Sequence, residues 1–218
     1  SPSDKRARLS PAVRRRGSGI RIAAVGASTG GPLALQKLIA GLDTNFPVPV
    51  LIVQHIAEGF LDGLRDWLRK TTEYSIEIAA HNEKLEPGCA YLAPDGRQMG
   101  VTRDLRAVIT QDCGGYSLCP AVGHLFRSVG GVFGGDAAAV ILTGMGRDGA
   151  EEMKMLHDLG AVTFAQDRES SIVYGMPGEA VKLGAVDRVM SCGRIAAALN
   201  ALVVPAEAEK GAERGCEI

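Results

Sequence analysis

Three polar residues, each placed just after an apolar run, are the candidates for chemistry in this sequence: Ser28, His55 and Asp148. A serine hydroxyl is a weak nucleophile unless a neighbouring base takes its proton, and a carboxylate can orient that base and stabilise its cation. These residue types predict a hydrolytic triad in which Ser28 attacks a carbonyl, His55 takes and returns the proton, and Asp148 holds the imidazole. The chain order Ser, His, Asp differs from that of the common hydrolase folds, but geometry and not order defines such a site.

Ser28 stands in a turn that fits the pattern G-x-S-x-G, with glycines at positions 26 and 30. The apolar run before this turn and the helical pattern after it indicate a strand, a sharp turn and a helix, an arrangement that presents a serine hydroxyl at the top of a parallel sheet. The amide of Thr29 is the first candidate donor of an oxyanion hole, and the amide of Met145, which lies between two glycines, is the second. The alternative is a glycine-rich cap that only starts a helix.

Structural interpretations also exist for the other two residues. His55 can be a half-buried polar residue at a strand terminus. Asp148, with Glu151 three residues later, resembles a capping box at the start of a helix. Asp167, which follows a later strand, competes with Asp148 for the role of the acid. The remaining histidines are weaker candidates, one in a predicted loop and two in predicted helices: His81, His124 and His157.

The elements that must position these residues alternate between buried strands and amphipathic helices. Apolar runs near 20–25, 48–53, 137–142 and 162–165 have the composition of strands buried on both faces, and helical patterns separate them. This alternation predicts an α/β fold, doubly wound, with a mainly parallel central sheet flanked by helices. Ligands of such sheets bind beyond the carboxyl ends of the strands, which is where all three candidates lie.

Residues 81–118 interrupt this alternation with Pro-Gly, Pro-Asp-Gly and Gly-Gly turns between short apolar runs. Such punctuation is typical of short strands joined by tight turns. We therefore predict an antiparallel hairpin inserted on the α/β framework.

Composition divides the chain into three parts. Residues 1–19 contain six Lys and Arg residues and almost no large apolar ones, which is typical of a flexible linker. Residues 20–204 form the predicted catalytic domain, and residues 205–218 form a polar tail. Because the chain begins with Ser1 and not with Met, we expect it to be part of a longer protein whose missing part lies upstream.

Charge, hydropathy and cysteine usage exclude several classes of protein. A net charge of −1 argues against a general nucleic-acid-binding protein. No apolar run approaches the ~20 residues of a membrane span and no signal peptide opens the chain, so we predict a cytoplasmic protein without membrane insertion. The five cysteines form no C-x-x-C pair, which fits reduced thiols better than disulfides or a zinc site. The sequence predicts neither a metal nor a cofactor.

The glycines after the first strand also resemble, superficially, a dinucleotide-binding loop. The spacing G-x-G-x-x-G is absent, and the second strand ends in Gln54-His55 and not in the acidic residue that would hold a ribose. A nucleotide-binding fold and a catalytically silent regulatory domain are the alternatives that residue patterns leave open.

Longer motifs resemble the catalytic domain of the chemotaxis protein-glutamate methylesterases, the CheB family. Their order and spacing are those of the family between about Ile20 and Val203. The block from Ile141 to Gly149, Ile-Leu-Thr-Gly-Met-Gly-Arg-Asp-Gly, is far more specific than G-x-S-x-G. The other motifs lie at 26–32, 54–55, 87–94, 165–167 and 174–177.

The resemblance implies hydrolysis of γ-glutamyl methyl esters on bacterial chemoreceptors, which gives glutamate and methanol, and deamidation of certain receptor glutamines. It implies that the partner is the methylated cytoplasmic domain of these receptors and that Ser28, His55 and Asp148 form the triad. Family members usually carry an upstream receiver domain whose phosphorylation relieves inhibition of the esterase. We expect that domain to be absent from this chain.

Three positions depart from the family pattern. The family often has serine and aspartate where this chain has Ala121 and Gly123, and often has histidine near the position of Gln98. Basic residues that often precede this segment are also absent. The proposed triad is unaffected, so the alternative to a chemoreceptor esterase is a related hydrolase that acts on a different protein.

Overall fold

The structure is a computed structural model that describes residues 19–113 and 115–203. The predicted basic linker, apart from residue 19, and the predicted polar tail lie outside the described residues. The predicted catalytic domain, residues 20–204, is described except at positions 114 and 204.

The described residues form nine strands and six α-helices, with one turn of 3-10 helix at Gly134–Asp136. The strands are β1 (Ile22–Ala27), β2 (Val50–Gln54), β3 (Ser75–Ile78), β4 (Cys89–Leu92), β5 (Gln98–Val101), β6 (Ala107–Thr110), β7 (Ala137–Ile141), β8 (Val162–Gln166) and β9 (Arg188–Met190). The helices are α1 (Gly31–Ile39), α2 (Leu61–Thr72), α3 (Val122–Phe133), α4 (Ala150–Asp158), α5 (Met176–Lys182) and α6 (Cys192–Asn200).

Seven strands form one parallel sheet in the order β3-β4-β2-β1-β7-β8-β9. The chain starts at the centre with β1, adds β2, β3 and β4 on one side, and returns to add β7, β8 and β9 on the other. The winding direction therefore changes between β1 and β7, and ligands bind at such a switch point in doubly wound sheets. The predicted doubly wound, mainly parallel sheet is confirmed.

Helices cover both faces of the sheet, which explains why its central strands are apolar without interruption. In β1, Ala23 and Val25 pack in a core with α1, α2 and α6, whereas Ile22 and Ala24 pack on the opposite face in a core with α3, α4 and α5. Every residue of β1, β2 and β7 is buried. Each fully buried Leu, Ile or Val side chain contributes about 1.5–3 kcal/mol to this three-layer packing.

Helix α3 lies close to the sheet because small residues face it. A Cβ atom on Gly26 would lie only 2.3 Å from Cγ1 of Val122, the first residue of α3. The neighbouring strand β7 begins with three alanines, Ala137 to Ala139. The amino terminus of α3 is therefore held against the carboxyl-terminal half of β1, next to the predicted site.

The predicted hairpin is also confirmed, and it lies on the α3 face of the sheet. Strands β5 and β6 pair in antiparallel orientation, with Gln98 opposite Thr110. Met99 and Val101 from this hairpin join the core formed with α3. Strand β4, from the same irregular stretch, enters the main sheet between β3 and β2, parallel to both.

Within the described ranges, no helix has the length and apolar character needed to cross a bilayer.

Candidate active site

The fold brings the three candidate residues to one edge of the sheet, because β2, β1 and β7 are neighbours in that order. Ala27 and Gln54 are paired in register, and Ser28 and His55 are the next residues along their two strands. The His55 amide donates to the Ala27 carbonyl at 2.9 Å, and the Ser28 amide donates to the Thr143 carbonyl at 3.0 Å. Main-chain bonds thus connect the ends of all three strands.

His55 and Asp148 face each other in a largely buried pair. His55 Nε2 lies 2.9 Å from Asp148 Oδ2, and the two side chains are only 15% and 14% exposed. The N–H direction at Nε2 is not aligned with the carboxylate, so Nε2 has no hydrogen-bond partner among the described residues despite this short distance. Catalytic hydrogen bonds are often poorly aligned before a substrate binds and tighten in the complex. With Nε2 facing Asp148, Nδ1 is the nitrogen available to a nucleophile.

Asp148 is held by the amino terminus of α3. Its Oδ2 accepts from the Val122 amide at 2.7 Å, and its Oδ1 accepts from the Gly123 amide at 3.0 Å. Helix amino termini bind anions in this way because their first amides lack partners within the helix and the helix dipole favours negative charge. No side chain caps α3 from its own N-cap position, Ala121, so Asp148 supplies the cap from a distant loop.

The capping box predicted for Asp148 and Glu151 is wrong. The N-cap of α4 is Gly149, in a left-handed conformation with φ 82°, and no side chain bonds the first turn of that helix. Asp148 caps a helix, but it caps α3, which begins 26 residues earlier in the chain. Helix α4, which the sequence position of Asp148 suggested it would cap, has no side-chain cap.

The environment of Asp148 favours its ionised form. Burial alone would raise the pKa of this carboxyl, but the His55 ring and the amides of Gly123 and Val122 together hold the pKa below its ordinary value of 3.8. Asp148 is therefore an anion at neutral pH, as an acid that orients and stabilises an imidazolium must be.

Ser28 lies in the same crevice, against the loop that follows β7. A Cβ atom on Gly144 would lie 2.8 Å from the Ser28 Cβ, so only glycine lets the loop approach the serine this closely. Among the described residues no hydrogen bond joins the Ser28 hydroxyl to His55. The structure therefore places the candidate nucleophile and base side by side on paired strands without joining their side chains.

The direction of the Thr29 N–H is set by the Ser28 carbonyl, which belongs to the same peptide group. Ser28 O accepts from the Gly31 amide at 2.7 Å and from Gln54 Nε2 at 2.9 Å, which fixes the plane of the Ser28–Thr29 peptide. The N–H of a trans peptide points opposite to its C=O. The Thr29 N–H consequently points away from the Gln54 side chain, and it donates to no group in the described part of the chain.

The amide of Met145 is directed in the same manner. Gly144 O accepts from the Gly175 amide at 3.0 Å and from the Met176 amide at 2.9 Å, so the following N–H of Met145 points the opposite way. This N–H also donates to no described group, and the Met145 side chain is 75% exposed. Both amides proposed for an oxyanion hole are thus free donors in loops whose peptide planes are fixed.

Sequence reasoning missed the buried polar residues that fix these loops. Gln54 is 4% exposed and bonds the Ser28 carbonyl. The Thr143 hydroxyl, also buried, donates to the Thr29 carbonyl at 2.9 Å, and the Thr143 amide donates to Gln166 Oε1 at 2.8 Å. The signal in the sequence was a polar residue at or just beyond the end of an apolar strand: Gln54 at the end of β2, Thr143 two residues after β7 and Gln166 at the end of β8.

The competing candidates have partners elsewhere. Asp167 accepts from the amide of Ser170 at 3.0 Å within its own loop. The His81 ring accepts from the Ile109 amide, and the His124 ring packs edge-on against Tyr116. His157 lies on α4, near two carboxylates.

The departures at Ala121, Gly123 and Gln98 lie around the start of α3. Gln98 is fully buried, its Oε1 accepts from the Ala121 amide at 2.8 Å, and its Nε2 donates to the Leu118 carbonyl at 3.0 Å. Gly123 leaves space for Glu152, whose Oε2 would lie 2.7 Å from an added Cβ. The two groups that bind Asp148 are main-chain amides, so side-chain changes at this helix start leave those donors in place.

Within residues 19–113 and 115–203, no group of three or more His, Cys, Asp or Glu side chains is arranged to hold a metal ion.

Comparisons with known proteins identify the family. The model of the CheB methylesterase family matches residues 23–199. A protein from Nitrosospira multiformis named protein-glutamate methylesterase/protein-glutamine glutaminase is 49% identical over 191 residues, which cover 88% of this chain and 53% of that protein. A relative of the same name, numbered 4, from Geobacter metallireducens is 50% identical over 186 residues, covering 85% of this chain and 54% of the relative. The chain thus spans about half the length of the curated relatives it matches.

A solved structure agrees with this match. The crystal structure of the Thermotoga maritima CheB methylesterase catalytic domain superposes with a TM-score of 0.80 at 32% identity, and the match covers 84% of this chain and 99% of that one. Fold, family model and sequence identity agree, and each match covers most of the chain. The chain belongs to the CheB methylesterase family.

Proposed function

We propose that this chain is a serine hydrolase that removes methyl groups from glutamate γ-methyl esters on bacterial chemoreceptors and deamidates receptor glutamines. The observation that carries the proposal is the buried His55–Asp148 pair, which is held by α3 at the end of the strand next to Ser28. Family membership and the names of the relatives support the ester and amide substrates. The methylated cytoplasmic domain of the receptors is the proposed partner, which places the reaction in the cytoplasm.

The proposed mechanism begins when the Ser28 hydroxyl attacks the side-chain carbonyl of a methylated glutamate while His55 takes its proton. Asp148, an anion under these conditions, stabilises the imidazolium. The amides of Thr29 and Met145 donate to the oxyanion of the tetrahedral intermediate. His55 then protonates the departing methoxide, methanol leaves, and Ser28 carries the glutamyl group as an ester.

Water completes the reaction. His55 removes a proton from the water as it attacks the acyl-enzyme, and collapse of the second tetrahedral intermediate returns the proton to Ser28. Glutamate is released and the enzyme is regenerated. With a glutamine substrate the same steps release ammonia in place of methanol, which accounts for both activities in the names of the relatives.

A decisive test compares Ser28→Ala with Ser75→Ala, a control at the amino-terminal end of β3. We expect Ser28→Ala to lose methanol release from a methylated receptor fragment by at least about 10³-fold, with an unchanged melting temperature, and Ser75→Ala to retain it. A serine-directed phosphonate should label Ser28 in the wild-type chain. If Ser28→Ala kept the wild-type turnover, Ser28 would not be the nucleophile.

The same assay tests separately whether the proposed substrate and the proposed type of reaction are correct. Phosphonate labelling of Ser28 together with no methanol release from receptor fragments would support a related hydrolase with a different protein substrate. Absence of labelling and of turnover in the wild-type chain would refute the hydrolase itself.

A further inference from the structure

A single carboxamide connects the main chains of the candidate nucleophile and the candidate base. Gln54 ends β2 and is 4% exposed. Its Nε2 donates one hydrogen bond to the Ser28 carbonyl at 2.9 Å and another to the His55 carbonyl at 2.8 Å. Both N–H bonds of one NH₂ group are thus used to join two loops that belong to different strands.

The orientation of this carboxamide is determined by its acceptors. Exchange of its oxygen and nitrogen would place Oε1 against two carbonyl oxygens, which can only accept. In the orientation observed, Oε1 is buried and finds no hydrogen-bond partner among the described residues. It faces Gly31, where an added Cβ atom would lie only 1.9 Å away.

The unpaired oxygen means that stability alone does not account for a glutamine at this position. A buried acceptor without a partner destabilises the folded state and offsets part of what the two donated bonds contribute. The Ser28 carbonyl, moreover, already has a donor in the Gly31 amide. What Gln54 adds is a direct bridge between the Ser28 and His55 carbonyls, which supplements the main-chain bond from the His55 amide to the Ala27 carbonyl in holding the two main chains at a fixed separation.

We propose that Gln54 is a positioning residue for ester hydrolysis, an inference that rests on the proposed function. It acts through two geometric effects. It sets the distance between the Ser28 and His55 backbones, from which the hydroxyl and the imidazole extend. It also holds the Ser28 carbonyl inward, so that the Thr29 N–H is presented outward as an oxyanion donor.

Removal of the bridge should lower kcat and leave substrate binding intact. Loss of a complete oxyanion donor lowers kcat by about 10²- to 10³-fold. Because the Gly31 amide still holds the Ser28 carbonyl, we expect Gln54→Met to reduce kcat by about 10- to 100-fold and to change KM by less than about twofold. Gln54→Glu should be slower than Gln54→Met, since it places a carboxylate oxygen against two carbonyls.

The matched control is Thr163→Val. Thr163 is a fully buried polar residue in β8 whose hydroxyl bonds Asp187, away from the carboxyl edge of the sheet. This variant should lower the melting temperature and leave kcat per folded molecule unchanged. A second perturbation keeps the glutamine: Gly31→Ala should displace its carboxamide by steric contact and reproduce the loss in kcat.

The measurements are kcat and KM for methanol release, normalised to the folded fraction obtained from thermal denaturation. Full kcat in a folded Gln54→Met or Gln54→Glu enzyme would overturn the positioning role, as would a rise in KM with unchanged kcat. If both Gln54 variants fail to fold, Gly31→Ala decides between the outcomes in the same way. A wild-type chain without turnover or labelling would instead mark failure of the proposed function, so the two failures are distinguishable.

Discussion

Replacing Asp148 by asparagine removes one charge from a buried position where three groups stabilise it. These groups are the His55 ring and the amides of Val122 and Gly123. Asparagine has nearly the same shape, but its NH₂ group is a donor and must face at least one of these donors. The substitution therefore tests the electrostatic role of Asp148 with little change in packing.

The expected loss of stability follows from the two amide bonds. A hydrogen bond to a charged group contributes about 1.5–3 kcal/mol, against about 0.5–1.5 kcal/mol for a neutral pair. One of the two bonds becomes a neutral pair and the other is lost, which lowers the free energy of unfolding by about 2.5–4.5 kcal/mol. For a domain of this size, that change lowers the melting temperature by roughly 5–18 °C.

The pH dependence of stability has a definite sign. The pKa of Asp148 in the folded protein lies below its ordinary value of 3.8. Its ionised form thus stabilises the fold fully above the pKa of the unfolded chain, and this contribution is lost as the pH falls through the lower pKa of the folded protein. The stability difference between wild type and Asp148→Asn should accordingly be constant near neutral pH and shrink in acid below that ordinary value.

The expected loss of activity is much larger than the loss of stability. Replacing the acid of a Ser-His-Asp triad by its amide lowers kcat by about 10⁴-fold, because the imidazole takes the wrong tautomer. We expect a loss of 10³- to 10⁴-fold in kcat for Asp148→Asn on a methylated receptor fragment. Asp167→Asn is the control, since that carboxylate follows the neighbouring strand and bonds only within its own loop.

Thermal melts between pH 3 and 8 and steady-state kinetics on both variants provide the measurement. The reasoning is refuted if Asp148→Asn retains kcat within tenfold of wild type, or if Asp167→Asn loses more activity. A large drop in melting temperature without a loss of kcat would leave Asp148 with the role of a helix cap only.

Two further substitutions test how α3 is held. Gly26→Ala should lower the free energy of unfolding by about 1–3 kcal/mol and reduce kcat, because its Cβ would lie 2.3 Å from a Val122 methyl group and displace an amide that binds Asp148. Urea denaturation and turnover check both effects, and an unchanged midpoint would contradict the packing argument. Gln98→Met should lower the free energy of unfolding by about 1–3 kcal/mol, because the Ala121 amide loses its acceptor. A denaturation midpoint equal to that of wild type would show that the carboxamide is dispensable.

The sheet was predictable from the sequence because its central strands are buried on both faces. Residues 22–25 and 137–142 are apolar without interruption, a pattern typical of short strands buried between two helical layers. The edge at which Ser28, His55 and Asp148 meet followed from parallel topology alone. Their roles in catalysis remain a prediction, which the substitutions above address.

Contacts between distant elements were not predictable. Local spacing associated Asp148 with Glu151 and α4, whereas tertiary packing places it on α3. Which helix end lies near a loop depends on how closely the helix approaches the sheet, and a few glycines and alanines decide that distance. The role of Gln54 was hidden for the same reason, since its acceptor on Ser28 belongs to another strand.

The bond from the Thr143 hydroxyl to the Thr29 carbonyl joins residues 114 positions apart. The candidate site therefore exists only after β7 has paired with β1. Because this pairing closes a long loop at a high entropic cost, we expect it to form later than the helices. During refolding, helical signal and compactness should recover before this pairing, whereas turnover depends on it. Under the proposed function, recovery of turnover thus reports the closing of the central sheet, and a partly folded chain lacks the arrangement that turnover needs.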